Sequence, residues 1–177
     1  FYSIKNLKKI DLSKAAFILM RQNPPFNMDY ITATFLLEKI SKKTRIVNDP
    51  FAVRNMPEKL YSIEFLKLMP PTIFTRGIDE IEKFKKKYKN IVIKPTHGYG
   101  GKNILFINKS TNKKKISKYL KKHDHVMAQK FLPQIKLGDK RIFIIGGIIK
   151  GAIRRIPMKG SILSNIGQGG KAVKTIL

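Results

Sequence analysis

Cysteine is absent from the 177 residues, which excludes a disulfide framework, a thiolate zinc site and a thiol nucleophile. Acidic residues are few, 11 against 37 lysines and arginines, leaving a formal net charge of +26. Long apolar runs are missing too. Nothing approaches the roughly 20 residues of a membrane-spanning helix, and the stretch from Ala15 to Met20 is too short for the core of a secretory signal. A cytoplasmic location with no membrane partner is the expectation. What is present is a hydrophobic content of 42%, enough for a packed core, in a length that suits one ordinary domain or parts of two smaller ones. The chain opens on Phe1 rather than Met and stops at Leu177 without a terminal helix, so a piece of a longer protein is expected.

The charge points first to a polyanionic partner, because a basic surface releases counterions from phosphates without reading sequence. The composition argues otherwise. Thirty of the 37 basic residues are lysine, alongside much isoleucine and asparagine and little alanine, as AT-rich codon usage would produce. The lysines cluster in solvated-face patterns such as "KFKKKYKN" (83–90) and "NKKKISKYLKKH" (112–123). Arginine, the better phosphate fork, is scarce. No nucleic-acid partner is expected.

Periodicity divides the chain in two. Strands are predicted at 15–20 and 44–50, with a helix over 28–43 whose apolar positions recur at helical spacing. An amphipathic helix is predicted over 56–69, with Pro57 in its first turn. A strand (72–76), a helix (79–89), two strands around a glycine cluster, a helix (113–122) and a strand (126–133) follow. "KRIFIIGGIIKGAIRRIP" (140–157) reads as a hairpin turning at Gly146-Gly147, and everything from Met158 onward as a glycine- and serine-bearing loop. The order is α/β before about residue 55 and α+β, mostly antiparallel, after it, with a linker predicted near 50–56.

The segment "IVIKPTHGYGGKNILFI" (91–107) raises the question of chemistry. A P-loop would need glycine where Thr96 stands and Ser or Thr where Asn103 stands. A dinucleotide fingerprint would need glycine at 103 and a helix after it. Two readings remain. Glycines 98, 100 and 101 could bring backbone N–H groups close to phosphate oxygens, with Lys94 adding a point charge; or the segment is a plain hairpin turn with a solvated lysine.

Several segments together decide the matter by resemblance. "EKL" (58–60), "IVIKP", "GYGG" (98–101), "MAQKFLP" (127–133) and "GDKRIFII" (138–145) follow the order and spacing of ATP-grasp ligases. "MRQNPPFNMDYITATFLLE" (20–38), "IVNDP" (46–50), "FLPQIKLGDKR" (131–141) and "RRIPMKGSILSNIGQGG" (154–170) narrow the likeness, and over nearly its whole length the chain resembles prokaryotic glutathione synthetases. The resemblance implies the end of a Rossmann-like substrate domain (1–55) and most of an ATP-grasp domain (56–177).

It also implies roles. ATP would be held by Lys59, Lys94, Gly98, Gly100, Gly101 and Asp139, with backbone hydrogen bonds from 129–132 to adenine and the ring against Phe131 and Leu132; Gln129 begins that stretch. Arg141 and Arg155 would act at the reacting end. Arg21, Arg155, Asn165, Gly169 and Gly170 would meet the peptide substrate, the last three on a lid. The implied reaction joins γ-glutamylcysteine to glycine through an acyl phosphate, with ATP and Mg2+ (or Mn2+), in a homo-oligomer. The metal ligands are expected beyond Leu177, so residues 1–177 alone are expected to make no glutathione. His97, Asn23 and Ile162-Leu163-Ser164 depart from the family pattern. Another ATP-grasp carboxylate–amine ligase and, in a different class, a basic nucleic-acid-binding module are the alternatives.

Overall fold

In the computed structural model of the chain, residues 8–176 are described; the opening residues of the predicted substrate domain and Leu177 lie outside them. The chain divides into two compact units, 1–61 and 62–177. No helix among the described residues is long and apolar enough to cross a membrane.

In the first unit, β1 (Phe17–Leu19) pairs in parallel with β2 (Arg45–Val47), joined through α1 (Met28–Ile40) in the right order for an α/β crossover. Asn27 caps α1 by accepting the Tyr30 N–H at 3.0 Å. Residues 50–55, predicted as a linker, form a helix instead, α2 (Pro50–Asn55). Asp49 caps it at the Ala52 N–H (2.7 Å), with Pro50 at the first turn. Arg54 then ties α2 to α1. It donates to the buried Thr34 hydroxyl (3.1 Å), pairs with Glu38 (2.8 Å) and lies 3.8 Å over the Phe35 ring.

The predicted helix over 56–69 is broken into α3 (Glu58–Tyr61) and a 3₁₀ stretch, Ser62–Leu68, kinked at Phe65. Most of its side chains are exposed, so little burial rewards a continuous helix.

The second unit holds two antiparallel sheets. In one, β3 (Thr72–Thr75), β6 (Val126–Lys130), β4 (Ile91–Pro95) and β5 (Leu105–Ile107) lie side by side in that order. Helices α4 (Ile78–Tyr88) and α5 (Lys113–His123) supply Ile81, Phe84 and Ile116 to its core, against Ile91, Ile93, Ile107, Val126 and Ala128. The other sheet is β7 (Asp139–Ile145), β8 (Ile148–Ile156) and β9 (Lys171–Lys174). Gly146 and Gly147, both at positive φ (58° and 77°), form the two-residue turn between β7 and β8. β9 corrects the expectation of loop from Met158 onward. "KAVK" is too short and too exposed to announce a strand, and it forms by adding to the edge of β8.

Candidate active site

Strand alternation gives the four-stranded sheet two unlike faces. Ile91, Ile93, Ala128 and Ile107 point to the helices. Their neighbours Val92, Lys94 and Gln129 therefore point the other way, and these three line a cavity of about 160 Å³. Phe131 and Leu132, just past β6, continue the wall; Ile162 to Asn165, from the segment joining β8 to β9, close it. The ring of Phe106 meets that of Phe131 edge-on at 4.9 Å, which fixes the orientation of the apolar wall.

One backbone feature beside this cavity follows from a proline. The Lys130 N–H donates to the Pro71 carbonyl at 2.9 Å. An antiparallel partner would ordinarily return a hydrogen bond to the Lys130 carbonyl, but Pro71 has no N–H to give. Two residues on, on the same side of the extended chain, the Leu132 N–H has no backbone acceptor among the described residues. An acceptor and a donor thus stand side by side at the rim of an apolar slot.

The connection from β4 to β5 carries the glycine cluster. Its ends are held. Thr96 donates through N–H and hydroxyl to the His125 carbonyl (3.4 and 3.2 Å), and Tyr119 of α5 donates to the Asn103 carbonyl. Burial pushes the Tyr119 phenol well above its ordinary pKa, so it stays a donor. Between these anchors, Gly100 and Gly101 take φ of +61° and +76°, and their N–H groups have no acceptor among the described residues. A Cβ on Gly100 would meet nothing within 4 Å; one on Gly101 would stand 2.6 Å from Asn165 Oδ1. The two glycines are needed for different reasons, conformation at 100 and conformation plus close approach at 101. Gly98 rests on Pro95.

Asn165 therefore touches the glycine loop and lines the cavity. Its own segment is tight: the Asn165 carbonyl accepts from Gln168 N–H (2.8 Å) and Gly170 N–H (3.1 Å), with Gly169 at φ +87°. Preceding it, Ser164 is buried, and its hydroxyl favours the charged form of Asp139.

Asp139 and Arg155 stand opposite each other on β7 and β8 and form a two-pronged pair, Nε to Oδ1 at 2.8 Å and Nη2 to Oδ2. Burial is the largest influence on the Asp139 carboxyl and works against its charge. The hydrogen bonds from Arg155 and Ser164, with the Arg155 and Arg141 charges, outweigh it and hold the pKa below the ordinary value. The same bond raises the Arg155 pKa. Arg141, two residues along β7, shares the side of Asp139 and is exposed. Gly138 (φ +94°) leads into this pair, and a Cβ there would stand 2.5 Å from the Arg155 carbonyl oxygen. Backbone cannot swing away as a side chain can. Gly138→Ala is expected to destabilise the protein by roughly 2–4 kcal/mol, measured by denaturant unfolding; a loss below about 1 kcal/mol would mean the entry to β7 relaxes around a methyl.

Of the residues named from sequence, Lys94, Gln129, Phe131, Leu132 and Asn165 come together at one cavity, with Gly101 against its closing segment. Asp139 and Arg155 meet each other. Lys59, on α3, and Arg21, exposed just beyond the C-terminal end of β1, belong to the first unit. Burial lowers the Lys59 pKa, against the opposing charge of Glu58. Sequence reasoning passed over Thr72, Ser164 and Tyr119, polar residues on a strand, a loop and a helix face whose partners are remote in the chain. Among the described residues, no three His, Cys, Asp or Glu side chains gather as a metal site.

Comparison with known proteins gives the family and the fold. Residues 58–177 match the profile of the prokaryotic glutathione synthetase ATP-grasp domain, and residues 1–54 that of the N-terminal domain. Glutathione synthetases of Mesorhizobium japonicum and Agrobacterium fabrum are each 39% identical over 99% of the chain. The chain spans 57% and 56% of their lengths. Among solved structures, D-cycloserine synthetase DcsG superposes with a TM-score of 0.73 at 16% identity, over 94% of this chain and 62% of that one. A Chryseobacterium gregarium RiPP-associated ATP-grasp ligase follows at 0.59 and 18%, over 96% and 59%. At such identities the likeness is one of fold.

Proposed function

Since the chain belongs to the prokaryotic glutathione synthetase family, we propose that it works as an ATP-dependent ligase joining γ-glutamylcysteine to glycine. The γ-phosphoryl group of ATP passes to the C-terminal carboxylate of the dipeptide, releasing ADP. The glycine amine then attacks the acyl carbon, an amide forms, and phosphate leaves. Such chemistry asks the protein for position and charge rather than for covalent participation.

The observation that carries the reading is the cavity behind β4 and β6. Adenine needs a flat apolar slot with one acceptor for its amino group and one donor for the adjacent ring nitrogen; the Lys130 carbonyl and the Leu132 N–H answer both. Lys94, at the inner wall, and the unengaged N–H groups of Gly100 and Gly101 meet the phosphates. Arg155, kept charged and oriented by Asp139, and the exposed Arg141 serve the carboxylate and acyl-phosphate end. The family resemblance alone assigns Lys59 to the phosphates and Arg21 to the peptide. Asn165, Gly169 and Gly170 form the covering segment. The divalent ion the family uses, magnesium or manganese in its stead, supplies charge neutralisation at the terminal phosphates. The described residues offer no cluster for it, and none is assigned to hold it. The protein acts on small molecules as a homo-oligomer.

The test is product formation. The full-length protein given γ-glutamylcysteine, glycine and Mg-ATP should yield glutathione and ADP in equal amounts by mass spectrometry. A product extended with glutamate, with glycine left unused, would replace this reading by that of a different amide ligase.

A further inference from the structure

Three adjacent strands contribute one polar side chain each to a line of hydrogen bonds behind the cavity wall. Lys94 Nζ on β4 donates to Gln129 Oε1 on β6 at 2.9 Å. Gln129 Nε2 donates to Thr72 Oγ1 on β3 at 2.9 Å. The Thr72 hydroxyl donates in turn to the Pro70 carbonyl at 2.6 Å. Thr72 and Gln129 are direct cross-strand partners, and Lys94 lies on the diagonal two residues from Val92, the partner of Gln129.

The donors and acceptors leave one consistent arrangement. The Thr72 hydroxyl has one proton, and the Pro70 carbonyl, which can only accept, takes it. Thr72 Oγ1 must then accept from Gln129, so the amide NH2 faces β3. That turns the amide oxygen toward the ammonium, which can only donate. Rotating the amide by half a turn would set its NH2 against NH3⁺ and its oxygen against a hydroxyl already donating elsewhere. Both bonds would be lost together.

We propose that Thr72 is a positioning residue for nucleotide binding: through Gln129 it sets where the Lys94 ammonium stands. Thr72 touches no substrate in this scheme. Gln129 takes one of the three ammonium donors, so part of the placement of a flexible four-carbon side chain is set before phosphate arrives. The sheet register supplies the distances, and the proline carbonyl before β3 supplies the direction.

The inference rests on the nucleotide role of Lys94 given above, and calorimetry on the full-length protein separates the two. Thr72→Val keeps the shape and β-propensity of the residue but removes the hydroxyl. ATP affinity is expected to fall by roughly three- to tenfold, while adenosine, which has no phosphate for Lys94, binds as before. Thr72→Ser restores the hydroxyl and should restore ATP affinity. In a Gln129→Leu background, where there is no amide to orient, Thr72→Val should add no further loss. A purely structural Thr72 would weaken adenosine and ATP alike, and its effect would persist beside Gln129→Leu; either result overturns the proposal. ATP affinity unchanged by Thr72→Val overturns it while leaving the ligase reading intact. Failure of the unaltered protein to bind ATP overturns both.

Discussion

Lys94→Met is expected to weaken ATP binding by about tenfold or more, with the fold retained. Methionine matches the length and apolar stem of lysine, and its thioether is at home beside Val92 and Met127 on that face of the sheet. What it lacks is the charge. A hydrogen bond to a charged partner contributes about 1.5–3 kcal/mol, which converts to roughly ten- to more than a hundredfold in affinity. The substitution also leaves Gln129 Oε1 without its donor, and the amide, still held by Thr72, cannot readily turn to find another. Adenosine should bind nearly as before, since its contacts lie at Lys130 to Leu132. Calorimetric titration with ATP and with adenosine reads both quantities. Equal ATP affinity in the two proteins would remove Lys94 from the phosphate site and leave it as a strut for Gln129.

Gly101→Val should all but abolish phosphoryl transfer and spare adenosine binding. Two costs fall on the same residue. At φ +76° a β-branched side chain is in strained backbone territory, a penalty of about 1–3 kcal/mol. Its Cβ would also stand 2.6 Å from Asn165 Oδ1. That oxygen ends a movable side chain, so relief comes from pushing Asn165, and the segment that carries it, off the glycine loop. The N–H groups of Gly100 and Gly101 then lose their aim. Misplacing one preorganised donor at a developing negative charge costs about 10²–10³ in rate, and two neighbours share this loop. The expected result is a turnover number reduced by about a hundredfold or more, with adenosine affinity within a factor of about two. Gly100→Ala makes a useful contrast: its Cβ meets nothing within 4 Å, so it reports the backbone strain without the collision. Parallel loss of adenosine and ATP binding in Gly101→Val would mean the loop supports the whole cavity rather than the phosphates.

The division between sequence and structure falls along the range of the interactions. The elements were legible where local rules suffice. A β-branched apolar run marked β4, a short run closed by proline marked β6, acids first and lysines last marked α4, and Gly146-Gly147 marked a two-residue turn. The parallel pairing before residue 55 and the antiparallel sheets after it were legible from the same patterns. Motif order brought Lys94, the glycine cluster and residues 129–132 under suspicion together; the cavity gathers Lys94 with 129–132, and Gly101 stands against its closing segment.

Local rules failed where burial did not enforce them. The stretch 56–69 has helical periodicity, but its exposed apolar side chains have too little to pack on in this chain, and it kinks at Phe65. "KAVK" is a strand only because β8 offers it an edge. Residues 50–55 look like a linker until Arg54 is seen reaching Thr34, Glu38 and Phe35. The polar partnerships were out of reach altogether. Thr72 and Gln129 are 57 positions apart, Lys94 and Gln129 35, Asp139 and Arg155 16, and the side chains of Gly101's neighbour Asn165 arrive from a segment on another strand connection. Alternation tells which face of a strand a residue takes, and so which residues can belong to a site. Which strand lies beside it, and in what register, is decided by packing of the whole sheet, and hydrogen bonds of about 3 Å exist only once that register is set.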